Sequence, residues 1–239
     1  MSILKHLFLY ICSFIKQLLP GQPCLLCGAG GQRDIWCASC DAALPYLREA
    51  YCPICALPTL QGAICGHCLQ KKPHFKRTVA VFAYAFPLNK LILAMKYGEK
   101  FQLAQILGNK LVGCVNIRPD CLIAMPLHPE RLKQRGFNQA LQLARSIGSQ
   151  LDLPVLLNAC QRVRNTSSQS SLSWKDRNSN VRKAFSCTAE VAGKHVAVID
   201  DVMTTGASLN ELALAILNAG ATEVSVWVVA RTLPHTDTS

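Results

Sequence analysis

Acidic side chains are scarce in this chain: 14 Asp and Glu stand against 25 Lys and Arg, for a formal net charge of +11. The imbalance is local. Residues 130–183 hold ten basic and three acidic groups, whereas residues 184–239 hold two and six. A basic block facing outward favours phosphate-bearing partners, nucleotide or nucleic acid; the competing reading is a solvated surface. Long apolar runs are also missing near the start. The longest stretch there without a charge or histidine is residues 7–15, nine residues, too short to cross a bilayer. No small-residue cleavage site follows it. Leu4, Leu7, Phe8, Ile11, Phe14, Ile15 and Leu18 keep helical spacing, so residues 1–20 are expected to form an amphipathic helix. Packing on the protein itself is the first reading of its apolar face; a peripheral membrane or partner contact is the second.

Cysteine, by contrast, is abundant: there are 13. A secreted disulfide scaffold is one source of such a count, but the spacing argues against it. Eight fall into four Cys-x-x-Cys pairs, which suit a metal. Cys24, Cys27, Cys37 and Cys40 form one unit, with nine residues between its pairs; Cys52, Cys55, Cys65 and Cys68 repeat it 28 residues later. Each pair brings two sulfurs of one turn to one ion, and two pairs close a tetrahedral thiolate site with no open position. That is structural Zn²⁺. Two sites, an interleaved pairing, one site alone and an Fe–S cluster stay open on spacing alone. Thiols kept for metal suggest a cytoplasmic setting. The remaining five (Cys12, Cys114, Cys121, Cys160, Cys187) follow no pattern and are expected to be free, small, buried hydrophobes.

Half of the residues are apolar, enough for one sizeable core and a small accessory module. Little in residues 21–75 builds a core, so that segment is expected to fold by binding metal. From residue 76 the pattern changes. Residues 78–84, 121–125, 196–199 and 224–229 read as strands, with 153–157 as a further short one. Helices are expected over 88–97, 101–115, 137–150 and 208–218. The alternation argues for a parallel α/β sheet over 76–234, with 235–239 as a tail. Residues 161–183 are polar, Ser-rich and basic without a period, as functional loops often are.

The sharpest motif is Val-Ala-Val-Ile-Asp-Asp-Val-Met-Thr-Thr-Gly-Ala-Ser at 196–208. An apolar strand delivers two carboxylates, Asp200 and Asp201, where ligands of open α/β sheets sit. A turn then opens straight into a helix. Thr204, Thr205, Gly206, Ala207 and Ser208 can aim backbone N–H groups and hydroxyls at one phosphate, helped by the helix N-terminus. Two aspartates beside a phosphate need another partner, and a ribose diol or a pyrophosphate-borne Mg²⁺ fits. An Asp cap with an ordinary Thr/Ser turn has each element, but rarely all in this order.

This stretch resembles the signature of type I phosphoribosyltransferases, which bind 5-phosphoribosyl-1-pyrophosphate (PRPP). Ser208 stands where threonine is common, and keeps the hydroxyl. The wider chain, from about Cys24 to Thr232, is similar to the ComF (ComFC, GntX-like) family. The Cys array carries that resemblance, with residues 93–97, residues 126–139, and the polar stretch with Gln169, Leu172, Arg177, Asn180 and Phe185. It implies a type I phosphoribosyltransferase-like, Rossmann-like sheet behind an N-terminal double zinc ribbon. It also implies a pyrophosphate loop at Pro126, Leu127 and His128, with Arg131, Lys133 and Arg135 close by. Gly136 and Asn138 would help to position an anion, and Arg162, Arg164, Lys175 and Arg177 belong to a loop that closes over PRPP. Lys96 is a weaker candidate, since a lysine ending a helix complements its dipole anyway.

The resemblance implies a PRPP-binding protein of DNA uptake or use of imported DNA, with DNA-uptake proteins and single-stranded DNA as partners. Aromatics are few in the basic parts (Phe75, Phe137, Trp174), so any such DNA binding is expected to be phosphate-led and salt-sensitive. The alternative is a Mg²⁺-dependent phosphoribosyltransferase of nucleotide metabolism. No acceptor pocket is visible and no obvious general base appears; His128 could be one, but a solvent-facing loop histidine is the first reading. Turnover and oligomeric state stay open.

Overall fold

The structure, a computed structural model, describes residues 22–30, 35–47, 50–98, 101–164 and 183–234. The helix expected over 1–20, Cys12, the loop residues Gln169, Leu172, Lys175, Arg177 and Asn180, and the tail 235–239 lie outside the described residues. The chain divides into two compact units, residues 1–44 and 45–239. The division falls between the two four-cysteine groups, not at the 75/76 change of composition.

In the larger unit a four-stranded sheet runs in the order β1 (Arg77–Ala83), β6 (Glu223–Arg231), β5 (His195–Met203), β2 (Cys121–Ala124). Every pairing in it is parallel. Strands covered on both faces should read as continuous apolar runs. β6 does so: from Val224 to Arg231 each residue is buried. The short strand expected at 153–157 is reduced to one bridge, Val155 beside Leu122.

The helices are α3 (Leu88–Tyr97), α4 (Phe101–Val112), α6 (Gln139–Leu151) and α7 (Ala207–Asn218), with the shorter α1 (Ala38–Ala42), α2 (Gly66–Gln70) and α5 (Pro129–Arg135). Helical spacing in α6 puts Ala140, Leu143, Ala144 and Ile147 into the core. Burying each large apolar side chain of this kind stabilises by roughly 1.5–3 kcal/mol. α5 follows directly on the expected loop Pro126 to His128, where no helix was expected. His128 caps it, Pro129 takes its first turn, and Gly136 ends it in the left-handed conformation. Having no buried residue, it has no apolar stripe for sequence periodicity to detect.

β3 (Cys160–Arg162) and β4 (Phe185–Cys187) form a small antiparallel pair at the two ends of the polar stretch. Cys160 and Cys187 lie directly opposite, 4.1 Å apart at Cα, and are joined by a disulfide. The expectation of free thiols therefore fails for these two. Cys121 is a free buried thiol as expected, while Cys114 is free but exposed.

The second ribbon belongs to the core of the larger unit. Cys52, Ile54, Cys55, Ala56, Cys68 and Phe75 share one apolar cluster with Val196, Val198, Val224 and Val226 of the sheet. Thr78 of β1 fixes the chain there. Its N–H donates to Pro53 O at 3.1 Å, and its hydroxyl donates to Ile54 O at 2.6 Å.

Candidate functional site

β5 runs further than its apolar core suggests. Asp200, Val202 and Met203 keep pairing with Val228, Ala230 and Arg231 of β6. On the other edge β2 has already ended, with Ala124 opposite Ile199. The two aspartates therefore emerge where β5 has a neighbour on one side only, the crevice at which open α/β sheets bind ligands. Past Met203 the turn leads into α7 with Gly206 as N-cap in the left-handed conformation, φ +80°. Ala207 N donates to Thr205 Oγ1 at 3.3 Å. Thr204 is exposed, and Thr205, Ala207 and Ser208 are partly accessible.

The left-handed backbone at 206 favours glycine and strains any other residue, whereas a Cβ would meet only the movable end of the Met203 side chain, at 2.6 Å from Cε. Gly206→Ala is expected to cost about 1–2 kcal/mol of stability. Because alanine strains the left-handed backbone that shapes the turn, it should also weaken ribose 5-phosphate binding, by about tenfold. Thermal unfolding and calorimetry check the two effects separately.

Asp201 is buried, and its Oδ2 lies 2.8 Å from Lys96 Nζ. Burial disfavours the Lys96 ammonium, but the carboxylates of Asp201 and Asp200 outweigh it and hold the group above its ordinary value, against the opposing charge of Arg135. Lys96 thus pairs with a buried carboxylate as well as ending a helix. Burial, then the charge of Asp201, push the Asp200 carboxyl well above the ordinary carboxylate range. Its side chain stays partly accessible; the depth of its setting disfavours the ionised form.

Further cations gather round this pair. Burial and the nearby Arg131 charge lower the Arg162 guanidinium, with Asp200 opposing them, which places Arg131, Arg162 and Asp200 in one neighbourhood. Arg135 stacks over the Tyr97 ring at 5.2 Å and donates from Nη1 to Gln139 Oε1 at 3.0 Å.

The eight paired cysteines form two groups that are not interleaved: Cys24, Cys27, Cys37 and Cys40, and Cys52, Cys55, Cys65 and Cys68. Within each group all four sulfurs lie within 4.8 Å of one another. A tetrahedral Zn²⁺ with bonds of about 2.3 Å needs its sulfurs about 3.8 Å apart. Cys27 and Cys37 stand at 3.9 Å and Cys55 and Cys65 at 3.6 Å, so the cages fit the ion. Burial works against the Cys24 thiolate, but backbone N–H groups of Cys27, Cys37 and Leu26 lower it to about 6. Cys52 is brought to about 7 in the same way by Cys65, Cys55 and Ile54.

Residues 14–69 match the family described as double zinc ribbon domain, and residues 137–237 match the phosphoribosyl transferase domain. The DNA utilization protein YhgH of Shigella flexneri is 35% identical over 226 residues, spanning 90% of this chain and 99% of that protein. Competence protein F of Haemophilus influenzae is 33% identical over 218 residues, 85% of this chain and 89% of that protein. The chain belongs to the ComF family. Competence protein ComFC of Bacillus subtilis is 24% identical over 236 residues, 87% and 94% of the two chains. Among solved structures, the glutamine PRPP amidotransferase of B. subtilis aligns with a TM-score of 0.41 at 19% identity, over 57% of this chain and 30% of that one.

This ComF-family chain has a phosphoribosyltransferase-type sheet and two four-cysteine cages suited to structural zinc. Among the described residues, no helix is long and apolar enough to cross a membrane. The residues singled out in the sequence fare unevenly. Asp200, Asp201, Lys96, Arg131, Arg135 and Arg162 come together at the end of β5. Pro126 is buried, while Leu127 and His128 are partly accessible past β2. His128 Nδ1 accepts from Glu130 N at 3.4 Å as the α5 cap. Arg164 is exposed at the edge of the described chain. The Asn138 side chain is engaged in the scaffold. Its Oδ1 accepts from Ala140 N and Leu141 N, and its Nδ2 donates to Met125 O.

Tyr97, Gln139 and Arg231 were not foreseen. Arg231, the one charge in the run 223–231 besides Glu223, was the signal available: a charged residue ending an apolar strand needs partners. A cavity of about 270 Å³ lies between the second ribbon and the Thr205 to Ala207 turn, with Cys68, Lys71, His74 and Met203 among its lining.

Proposed function

We propose that the chain binds PRPP or a related phosphoribosyl ligand at the end of β5 and serves DNA uptake or the use of imported DNA in the cytoplasm. The buried pairing of Asp201 with Lys96 beside the Gly206 turn is the observation that carries the ligand reading. Backbone N–H groups and hydroxyls of residues 204–208 take the 5-phosphate. Asp200 and Asp201 take the ribose hydroxyls. Lys96, Arg131, Arg135 and Arg162 face the pyrophosphate, with Arg guanidinium suited to bidentate contact. Mg²⁺ bound with pyrophosphate would offset its charge and, in a reaction, ease its departure. The biological setting follows the names of the relatives, a DNA utilization protein and a competence protein. The basic block supports a phosphate-led contact with single-stranded DNA.

Calorimetry separates the two ends of the ligand. Arg162→Gln is expected to weaken PRPP with Mg²⁺ about tenfold, the effect of losing one hydrogen bond between charged groups. Ribose 5-phosphate, which lacks pyrophosphate, should bind as before. Equal losses for both ligands would move Arg162 away from the pyrophosphate. Turnover is tested by pyrophosphate release with a panel of bases and amines. Release above background makes the chain a phosphoribosyltransferase of nucleotide metabolism; none leaves a binding module.

A further inference from the structure

Arg231 ends β6 with only 4% of its surface exposed. Its guanidinium meets backbone carbonyls on both sides. Nε donates to Cys55 O at 2.8 Å, in the second ribbon. Nη1 donates to Met203 O at 3.0 Å, to Thr232 O at 2.8 Å and, closer still, to Thr204 O. Met203 and Thr204 lead into the turn that would hold the 5-phosphate. No carboxylate is a partner of Arg231 among the described residues.

A buried charge needs compensation. Four thiolates around one Zn²⁺ carry a net charge of about −2, and Cys55 is one of those ligands. With zinc bound, the Cys52, Cys55, Cys65 and Cys68 cage would supply the counter-charge that no aspartate or glutamate supplies. A second tie joins the other knuckle to the same turn. The segment leaving Cys68 reaches His74, whose N–H donates to Asn210 Oδ1 at 2.7 Å. Asn210 N in turn donates to Gly206 O at 2.8 Å. Between the ties lies the cavity of about 270 Å³, and Phe75 and Cys68 share an apolar cluster with Met203 and Leu209 beside it.

We infer that Arg231 is a positioning residue which links metal occupancy of the Cys52, Cys55, Cys65 and Cys68 cage to binding at the Thr204 to Ser208 turn. The inference rests on the reading of that turn as a phosphoribosyl site. A planar guanidinium fixes the angle between Cys55 O and Met203 O, which the point charge of a lysine does not. By linkage, if metal in the cage improves ligand affinity, bound ligand holds the metal by the same factor.

The test uses the zinc-loaded full chain with ribose 5-phosphate as probe. A chromogenic chelator follows zinc release, while alkylation read by peptide mass spectrometry tells the two cages apart. Saturating ribose 5-phosphate is expected to slow metal loss and alkylation at Cys52, Cys55, Cys65 and Cys68, by about tenfold where the coupling raises metal affinity by that factor and leaves metal entry unchanged. Cys24, Cys27, Cys37 and Cys40 should be unaffected. Arg231→Gln should remove the protection while calorimetry still detects ligand, and Arg231→Lys should not restore it. Asn210→Ala, a milder change, should reduce the protection about threefold and covers the case of an Arg231 variant that does not fold.

Unchanged release from the second cage in the wild type, with calorimetry showing the ligand bound, overturns the linkage. Equal protection of both cages does so too. Absence of any ribose 5-phosphate binding would instead remove the reading of the turn, and the linkage with it.

Discussion

Asp201→Ala is expected to abolish measurable PRPP binding and to destabilise the fold by about 3–5 kcal/mol, the cost of breaking a buried ion pair by deleting one partner. Lys96 would keep its charge at a site where only 20% of its side chain is exposed. The two effects can be separated. In Lys96→Met with Asp201→Leu both charges go, and replacing a buried pair by apolar residues is often neutral. That double variant should recover most of the stability and still fail to bind PRPP. Thermal unfolding and calorimetry on the same samples give both answers. Asp200→Ala should lose PRPP by more than tenfold with little effect on stability, because its raised carboxyl pKa shows the site disfavours its charge in the free protein. Wild-type affinity in both single variants would remove the aspartates from the site.

Stripping zinc should have the largest effect on the fold. Structural Zn²⁺ in small ribbons binds with about 10–16 kcal/mol, comparable with the whole stability of a domain. The second cage is also continuous with the sheet core: Cys52 and Cys68 are 0% and 2% exposed and pack in the cluster that holds Val196 and Val224. Chelation is therefore expected to expose the amides of residues 50–70 to hydrogen exchange and to lower the melting temperature of the sheet domain as well. Metal analysis should return two zinc ions per chain. A metal-free protein with those amides still protected would contradict structural zinc.

The sheet was legible in the sequence because parallel strands covered on both faces are apolar without interruption, as in residues 196–199 and 224–229. What the pattern hid was where β5 ends. Aspartate is a poor strand former, yet Asp200 and Asp201 continue the strand because β6 reaches alongside as far as Arg231. α5 escaped because none of its residues is buried, although its cap and terminal glycine were visible. β3 and β4 have three residues each, too few for an alternating pattern.

The candidate site was legible where chemistry is local in sequence, in the Asp-Asp turn and the four Cys pairs. It was obscure where partners come from far apart. Lys96 meets Asp201 across 105 positions, and Arg231 meets Cys55 across 176. Nothing in a one-dimensional pattern marks either pairing. The disulfide between Cys160 and Cys187 was hidden for the same reason, since their opposition depends on the β3 and β4 register.

A crystal structure with PRPP and Mg²⁺ bound tests the central claim most directly. The 5-phosphate is expected on the backbone N–H groups of residues 205–208, the ribose hydroxyls within hydrogen-bond reach of Asp200 and Asp201, and the pyrophosphate toward Lys96, Arg131 and Arg162. Ligand density elsewhere, with the turn after β5 making no contact with the sugar phosphate, would contradict it.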